Sequence, residues 1–470
     1  MVDTLNNTYL EVFNKQKEHQ FNLGKTNSRE RIKKLNALQR SIQYTYRQAI
    51  REALYADFKK PYIETDLTEI YLVNREIKHA KKNLHHWMNK QVVPTPLALF
   101  GTSSYYIYEP KGVCLIISPW NYPVNLTFTP LVSAIAAGNP VIIKPSELTP
   151  NTSKVMATII KELFDENEVA LFEGDVEVAQ SLLKLPFNHI FFTGSPRVGK
   201  LVMQAASMHL ASVTLELGGK SPTIIDQTAN INTAIESLVW GKHLNKGQTC
   251  IAPDYVIIHQ SIKDEFLKAY KSKVQYYYSQ DPSSSSSYSR IVNKNHFNRL
   301  VSYIKNAKES GATIEFGGEY DSKDYFIEPT VISNLNDDSL LLNEEIFGPI
   351  LPIKTYNDID EVINYINSKE KPLALYIYSQ DTKNVNKIIK STRAGGTCIN
   401  TNALQASNHA LPFGGSNNSG IGKSHGFFGF QEFSNPRAIL KRRTKGPLNL
   451  LLPPYNNFKQ KIVDLTIKWF

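Results

Sequence analysis

Cysteine is scarce: Cys114, Cys250 and Cys398 are the only three in 470 residues, so at most one disulfide can form and a thiol is always left over. That excludes a disulfide-stapled framework and leaves reactive or buried free thiols. Long apolar runs are missing too. The stretch from Pro130 to Ile143 is interrupted by Gly138, Asn139 and Pro140, and no run reaches the roughly 18 residues that a bilayer span needs. The N-terminus has no basic segment leading into an apolar core, so no secretory signal is expected and a cytoplasmic location is. Charge of one sign is confined to one region. Of the net +10, most lies from Arg437 onward, where eight lysines and arginines stand against Asp464 alone. The nearly neutral body argues against nucleic-acid binding over the whole surface.

What is present is an ordinary globular composition, 41% hydrophobic and 20% charged, in a chain long enough for more than one domain. Glu18 to Ala56 and Thr65 to Asn89 carry apolar residues at helical spacing. The segment SSYYIYEP then reads as a half-buried strand. Short apolar runs at Val113 to Ile117, Pro140 to Ile143, Val169 to Phe172, His189 to Phe192, Ser212 to Leu217 and Thr223 to Ile225 alternate with helical stretches. The alternation resumes after Cys250 with strands at Tyr255 to His259 and Thr313 to Glu315 and near Val331 and Ile350. Such alternation predicts parallel sheets covered on both faces. The expected fold class is therefore α/β, two doubly wound parallel-sheet domains plus a strand-rich arm. Asp281, Pro282 and the five serines after them read as a surface loop.

Among the cysteines, Cys250 in NKGQTCIAPD lies between Gly247 and Pro253, in a predicted loop, whereas Cys114 and Cys398 sit in apolar, strand-like settings and read as buried hydrophobes. Glu216 closes a strand before Gly218 and Gly219, and Asn121 follows a buried strand between Pro119 and Pro123. The segments KPSE (Lys144 to Glu147) and TGSPRVGK (from Thr193) are strand-to-helix turns, where nucleotides sit in doubly wound sheets. The G-x-G-x-x-G fingerprint is absent; that turn has only Gly194 and Gly199. No metal-ligand cluster is expected.

In order along the chain stand SPWNYP, KPSE, FTGSPRVG, ELGGK, GQTC, EEIFGP and PFGG, from Ser118 to Gly415. This series resembles the aldehyde dehydrogenase superfamily. The 34 positions between Glu216 and Cys250 match its general base and nucleophile. CIAPDY, RIVNKNHF, LPFGGSNNSGIGKSHG and LLLPPY are similar to the class 3 and fatty aldehyde dehydrogenases. The resemblance implies Cys250 as nucleophile, Asn121 as oxyanion donor and Glu216 as the base that hydrolyses a thioester. It implies that Lys144 and Glu147 meet the adenosine ribose, that Gly194, Ser195 and Gly199 line the pyrophosphate, and that Glu345 and Phe347 hold the nicotinamide end. NAD is the cofactor expected, with NADP possible, because Glu147 repels a 2′-phosphate. The substrate would be a medium- or long-chain aliphatic or aromatic aldehyde in an apolar tunnel, with Tyr122 a candidate wall. A CoA-acylating reaction is disfavoured by the presence of Glu216.

The same resemblance implies an NAD(P)-binding domain from residues 1–93 and 111–217, a catalytic domain from 218–430 and an arm from 94–110 and 431–444 that pairs subunits into a homodimer. Lys246, four positions before Cys250, is expected to face solvent, the alternative being the thiol. Residues 445–470 form an amphipathic tail, with Phe458, Ile462, Leu465 and Trp469 on one face. It is expected to dock on the catalytic domain; peripheral contact with an anionic membrane is the second reading.

Overall fold

The computed structural model describes residues 2–444 and 446–469. Lys445 and Phe470, both counted in the tail above, lie outside the described residues. Two sheets dominate. The first has the order Gly420–Ile421, Ser212–Leu217, His189–Gly194, Cys114–Ile117, Val141–Lys144, Val169–Leu171 and is parallel except for its first strand. The second has the order Thr313–Phe316, Thr330–Ser333, Ile350–Tyr356, Tyr255–His259, Pro222–Ile225, Ala374–Tyr378, Gly396–Ile399, with only Thr313–Phe316 antiparallel. Near-continuous Val, Ile and Leu runs such as VIIK and CLII, buried at every position, are what a strand covered on both faces requires.

The N-terminal helices supply one cover of the first sheet. Leu54, Val73 and Ile77 pack with Ile116, Phe128 and Leu131, while Tyr9 and Phe13 join Phe187 and Ile190 on the opposite face. Each fully buried aliphatic side chain of this kind stabilises the fold by roughly 1.5–3 kcal/mol. The helical reading of the first ninety residues holds, with breaks that periodicity did not mark. Asn27 starts a new helix through a capping box with Glu30, and π turns interrupt the path at Ser41–Thr45 and Asp66–Ile70.

Late in the chain, Gly420 and Ile421 pair with Glu216 and Leu215 of the first sheet. The helix Gly426–Glu432 packs on Pro123–Ala137. The chain returns because Glu432 accepts a 2.6 Å hydrogen bond from Thr214 Oγ1 and Phe433 is buried against Phe191. The arm is a separate antiparallel sheet of Gln91–Val93, Thr102–Pro110 and Ser434–Arg442.

The tail forms the helix Asn457–Trp469, as its periodicity predicts. Its expected docking on the catalytic domain is corrected: none of its described residues is buried, Phe458, Leu465, Ile467 and Trp469 are exposed, and it packs on the turn Pro447–Leu451. The preceding strand Ser434–Arg442 is bound to the arm along its length and holds the tail there. No helix among the described residues is long and apolar enough to cross a membrane.

Candidate active site

In the first sheet, Cys114–Ile117 has Val141–Lys144 on one side and His189–Gly194 on the other, so successive connections run in opposite directions from it. A doubly wound sheet opens a crevice at the carboxyl ends of strands at such a switch point. Asn121, Thr193 to Ser195 and Glu216 all follow or close these strands, and they line one cavity of about 240 Å³ with Trp120, Cys250, Glu345 and Phe347. A second cavity, about 290 Å³, meets the first at Cys250 and Leu126 and is walled by Tyr71, Tyr122, Trp240, Ile251 and Phe413.

The turn carrying Cys250 has an unusual backbone. Asn245, Lys246 and Gly247 are consecutive left-handed residues, with φ of 50°, 58° and 75°. Gly247 is obligatory there, because a Cβ would lie 2.4 Å from the Gly348 carbonyl oxygen. Gln248 pins the turn: its Nε2 donates to the carbonyls of Asn245 (3.1 Å) and Arg290 (3.0 Å), and its Oε1 accepts from Val292 N. Asn121 Nδ2 donates to the Gln248 carbonyl at 3.0 Å, which joins the expected oxyanion residue to the turn. Tyr122 OH lies 2.6 Å from Thr249 Oγ1. Cys250 is partly exposed, whereas Cys114 and Cys398 are buried.

Lys246 needs correction. It is fully buried and faces neither solvent nor the thiol. Its Nζ sits 4.0 Å from the Tyr288 ring centre and 4.3 Å from that of Phe326, with one bond to the Ser289 carbonyl. Burial, reinforced by Arg290, holds its pKa well below the lysine norm, and its stem and amine fill an aromatic box. The left-handed turn aims it inward, which composition could not reveal.

Glu216 is buried, and burial pushes its carboxyl up to about 8. The Ser424 hydroxyl and Lys423 pull the value down and Glu432 pushes it up. Oε1 accepts from Ser424 Oγ at 2.8 Å while Oε2 has no partner among the described residues. Burial, then Glu345 and Glu216, pushes the Cys250 thiol up to about 12. Glu345 rises to about 8, through burial and then Asp254, and its Oε1 is also without a partner. Phe347 has φ of 52°, an uncommon value for a bulky residue, and its ring meets Trp120 edge-on at 5.5 Å.

Gly194 and Ser195 line the same cavity as these residues. Gly199 serves helix packing, since a Cβ there would lie 2.8 Å from Leu217. Lys144 and Glu147 are not among the cavity walls. They form a 3.1 Å ion pair at the end of Val141–Lys144, with Lys144 buried and bonded to the Gly174 and Pro145 carbonyls and Glu147 half-exposed. Sequence reasoning missed Ser424, although SHG lay inside a quoted motif. It also missed the buried Lys60–Glu69 pair at 2.6 Å, in which Lys60 lies over the Tyr122 ring and Glu69 accepts from Asn125 N. A lysine in a turn and a glutamate in a helical segment give no local signal of such a contact.

The aldehyde dehydrogenase family model matches residues 7–439. The chain belongs to the aldehyde dehydrogenase family. Its relatives include the 4,4'-diaponeurosporen-aldehyde dehydrogenase of Staphylococcus aureus, 45% identical over 91% of this chain and 92% of that protein. They also include the human aldehyde dehydrogenase family 3 member B1, 40% identical over 90% of this chain and 89% of that protein. Among solved structures, the substrate-bound state of Staphylococcus aureus AldH superposes with a TM-score of 0.93 at 43% identity, covering 97% of this chain and 99% of that one. An aldehyde dehydrogenase from Bacillus cereus solved as its NAD+ complex gives a TM-score of 0.85 at 26% identity, covering 93% of this chain and 89% of that one. The enzyme thus shares both the fold and the motif set of the family from which its class 3 flavour was read. Among the described residues no group of three or more His, Cys, Asp or Glu is placed to hold a metal ion.

Proposed function

We propose that this aldehyde dehydrogenase oxidises medium- or long-chain aliphatic or aromatic aldehydes to carboxylic acids, with Cys250 as nucleophile, Asn121 as oxyanion donor and Glu216 as the hydrolytic base. The observation that carries the reading is the convergence of thiol, amide and a carboxyl with one unpartnered oxygen on the first cavity, which meets the second at the thiol. The predominantly apolar second cavity is the aldehyde side. The first is the NAD(P) side, and the residues fit such a group. Glu345 keeps an unpartnered oxygen there, and Gly218 has no room for a Cβ, which would lie 2.2 Å from Glu345 Oε2. Gly194 and Ser195 would face the pyrophosphate at the start of the helix Pro196–Ser207. Glu345 and Phe347 would hold the nicotinamide end, and Lys144 with Glu147 the adenosine ribose.

Cys250 Sγ bonds to the aldehyde carbon, and the resulting oxyanion takes the second Asn121 N–H and the Cys250 backbone N–H. NAD(P)+ bound on this side would supply a positive charge that favours the Cys250 thiolate and a hydride acceptor. Glu216 then takes a proton from water, the hydroxide adds to the thioester carbon, and the C–S bond breaks to release acid and thiolate. Glu216→Gln should give a burst of NADH near one equivalent per site and then slow turnover; an unchanged steady-state rate assigns the base elsewhere. Stimulation of turnover by CoA, with an acyl-CoA product, would favour the acylating alternative.

The first sheet with its helices serves as the cofactor domain and the second as the catalytic domain. The outer edge of Ser434–Arg442, exposed along most of its length, suits strand pairing with a second copy and hence a homodimer. A cytoplasmic enzyme is proposed, whose tail meets anionic membrane surfaces through exposed Ile467 and Trp469 and the surrounding lysines.

A further inference from the structure

The aldehyde cavity is predominantly apolar, and two imidazoles stand in its wall. His409 and His425 both line it, and behind them lies the fully buried carboxylate of Glu76. Glu76 Oε2 is 2.7 Å from His409 Nδ1, and its Oε1 accepts from Gly426 N at 2.8 Å. His425 stacks flat on Phe413, ring centres 4.8 Å apart, and its ring lies 6.0 Å from that of His409. Three ring nitrogens are buried with no hydrogen-bond partner among the described residues: His409 Nε2, His425 Nδ1, and His409 Nδ1, whose approach to Glu76 Oε2 is a close contact rather than a formed hydrogen bond. Buried polar atoms left unpaired are rare and destabilising, and in a cavity wall they mark a place for a ligand or a water.

Glu76 is held below the usual carboxylate range: burial opposes this, but His409 and the Gly426 N–H outweigh it. His409 Nδ1 faces Glu76 Oε2, and Nε2 is left without a partner. His425 is pushed down to about 4 by burial, so it is neutral near pH 7. Its other ring nitrogen carries the proton toward the Ala406 carbonyl, and Nδ1 is left as an acceptor. The wall therefore presents one acceptor, His425 Nδ1, beside the unpaired His409 Nε2, and a hydroxyl, which both donates and accepts, pairs with either.

Resting on the aldehyde-oxidising reading above, we infer that the His409–Glu76–His425 cluster is a specificity site for a hydroxyl group carried by the aldehyde, so that the preferred substrates are hydroxyaldehydes whose O–H reaches this wall when the carbonyl is at Cys250. An apolar chain still fills the rest of the cavity. A plain alkanal leaves the two nitrogens unpaired, and polar sites of this kind discriminate against analogues lacking the group.

The test compares kcat/KM for alkanals and for ω-hydroxyalkanals of matched length, using chains too long to close a stable ring, in the full-length enzyme. At the length that places the hydroxyl on the wall, the wild type should favour the hydroxy compound by about tenfold, a usual effect for one buried hydrogen bond. That ratio should collapse in His409→Phe and shift less in His409→Gln, which keeps a donor for Glu76. The ratio is read within each variant, so a partial loss of folded enzyme does not alter it. Preference for the alkanal at every length, or a ratio unchanged by His409→Phe, overturns the inference and leaves the imidazoles holding water only. Oxidation of neither class removes the underlying functional reading as well.

Discussion

The raised carboxyl of Glu216 makes the pH profile of turnover a direct test of the hydrolytic step. Burial lifts it to about 8, and only the ionised form can take a proton from water. At pH 7 about one carboxyl in ten is then ionised, and at pH 9 about nine in ten, so deacylation-limited kcat should rise nearly tenfold across that interval and fall tenfold per unit below it. The sign follows from the direction of the shift: a base held protonated by burial loses activity toward acid. Neighbouring charges should move this limb in opposite senses. Lys423 pulls the Glu216 value down while its Nζ is anchored on the Gly414 and Gly415 carbonyls, so Lys423→Met should move the limb to higher pH. Glu432 raises it, so Glu432→Gln should move the limb to lower pH. Stopped-flow NADH fluorescence separates the burst from the steady state, and the burst amplitude should stay near one equivalent throughout. A kcat that is flat from pH 6 to 9 with a full burst, or a limb displaced by neither variant, would refute the assignment of Glu216 as the group that titrates.

Three further outcomes are expected. Burial lowers the Lys246 pKa in the folded state while the unfolded chain keeps the usual lysine value of about 10.5; the unfolded state thus binds more protons between the two values, folding stability should climb as pH rises toward the unfolded one, and Lys246→Met should abolish that slope in thermal melts. Glu147→Ser should shift the NADP-to-NAD ratio of kcat/KM upward by roughly tenfold, the scale of one surface charge a few ångströms from a phosphate; an unchanged ratio removes Glu147 from the ribose site. Truncation after Tyr455 should abolish salt-sensitive co-sedimentation with anionic vesicles while leaving aldehyde oxidation in solution intact, and absence of binding by the full chain at low salt rejects membrane contact.

The parts of the fold legible in the sequence were those written in local periodicity. Runs such as CLII and VIIK are apolar at every position because both faces of their strand are covered, so they announce a parallel sheet without any tertiary information. Gly247 was visible as a turn, yet three successive left-handed residues were not, because asparagine and lysine visit that region only when their surroundings impose it. Lys246 shows the consequence. A lysine beside a glycine reads as solvated from composition, and only the turn's handedness sends its stem between Tyr288 and Phe326. The strand Gly420–Ile421 was not legible for a related reason: it has two residues, its partner lies some two hundred positions earlier, and no local pattern encodes that pairing. The candidate site divides the same way. Cys250, Glu216 and Asn121 stood out because each follows a strand or sits in a glycine- or proline-marked turn. Glu76 and Glu69 belong to helical segments and Lys60 to the turn before Tyr62–Thr65, and their charges are indistinguishable from a solvated face until the fold buries them. Residues at strand ends are therefore readable as candidates in advance, and residues behind them on covering helices are not, although here those helices bring the Glu76 carboxylate to 2.7 Å from His409 Nδ1.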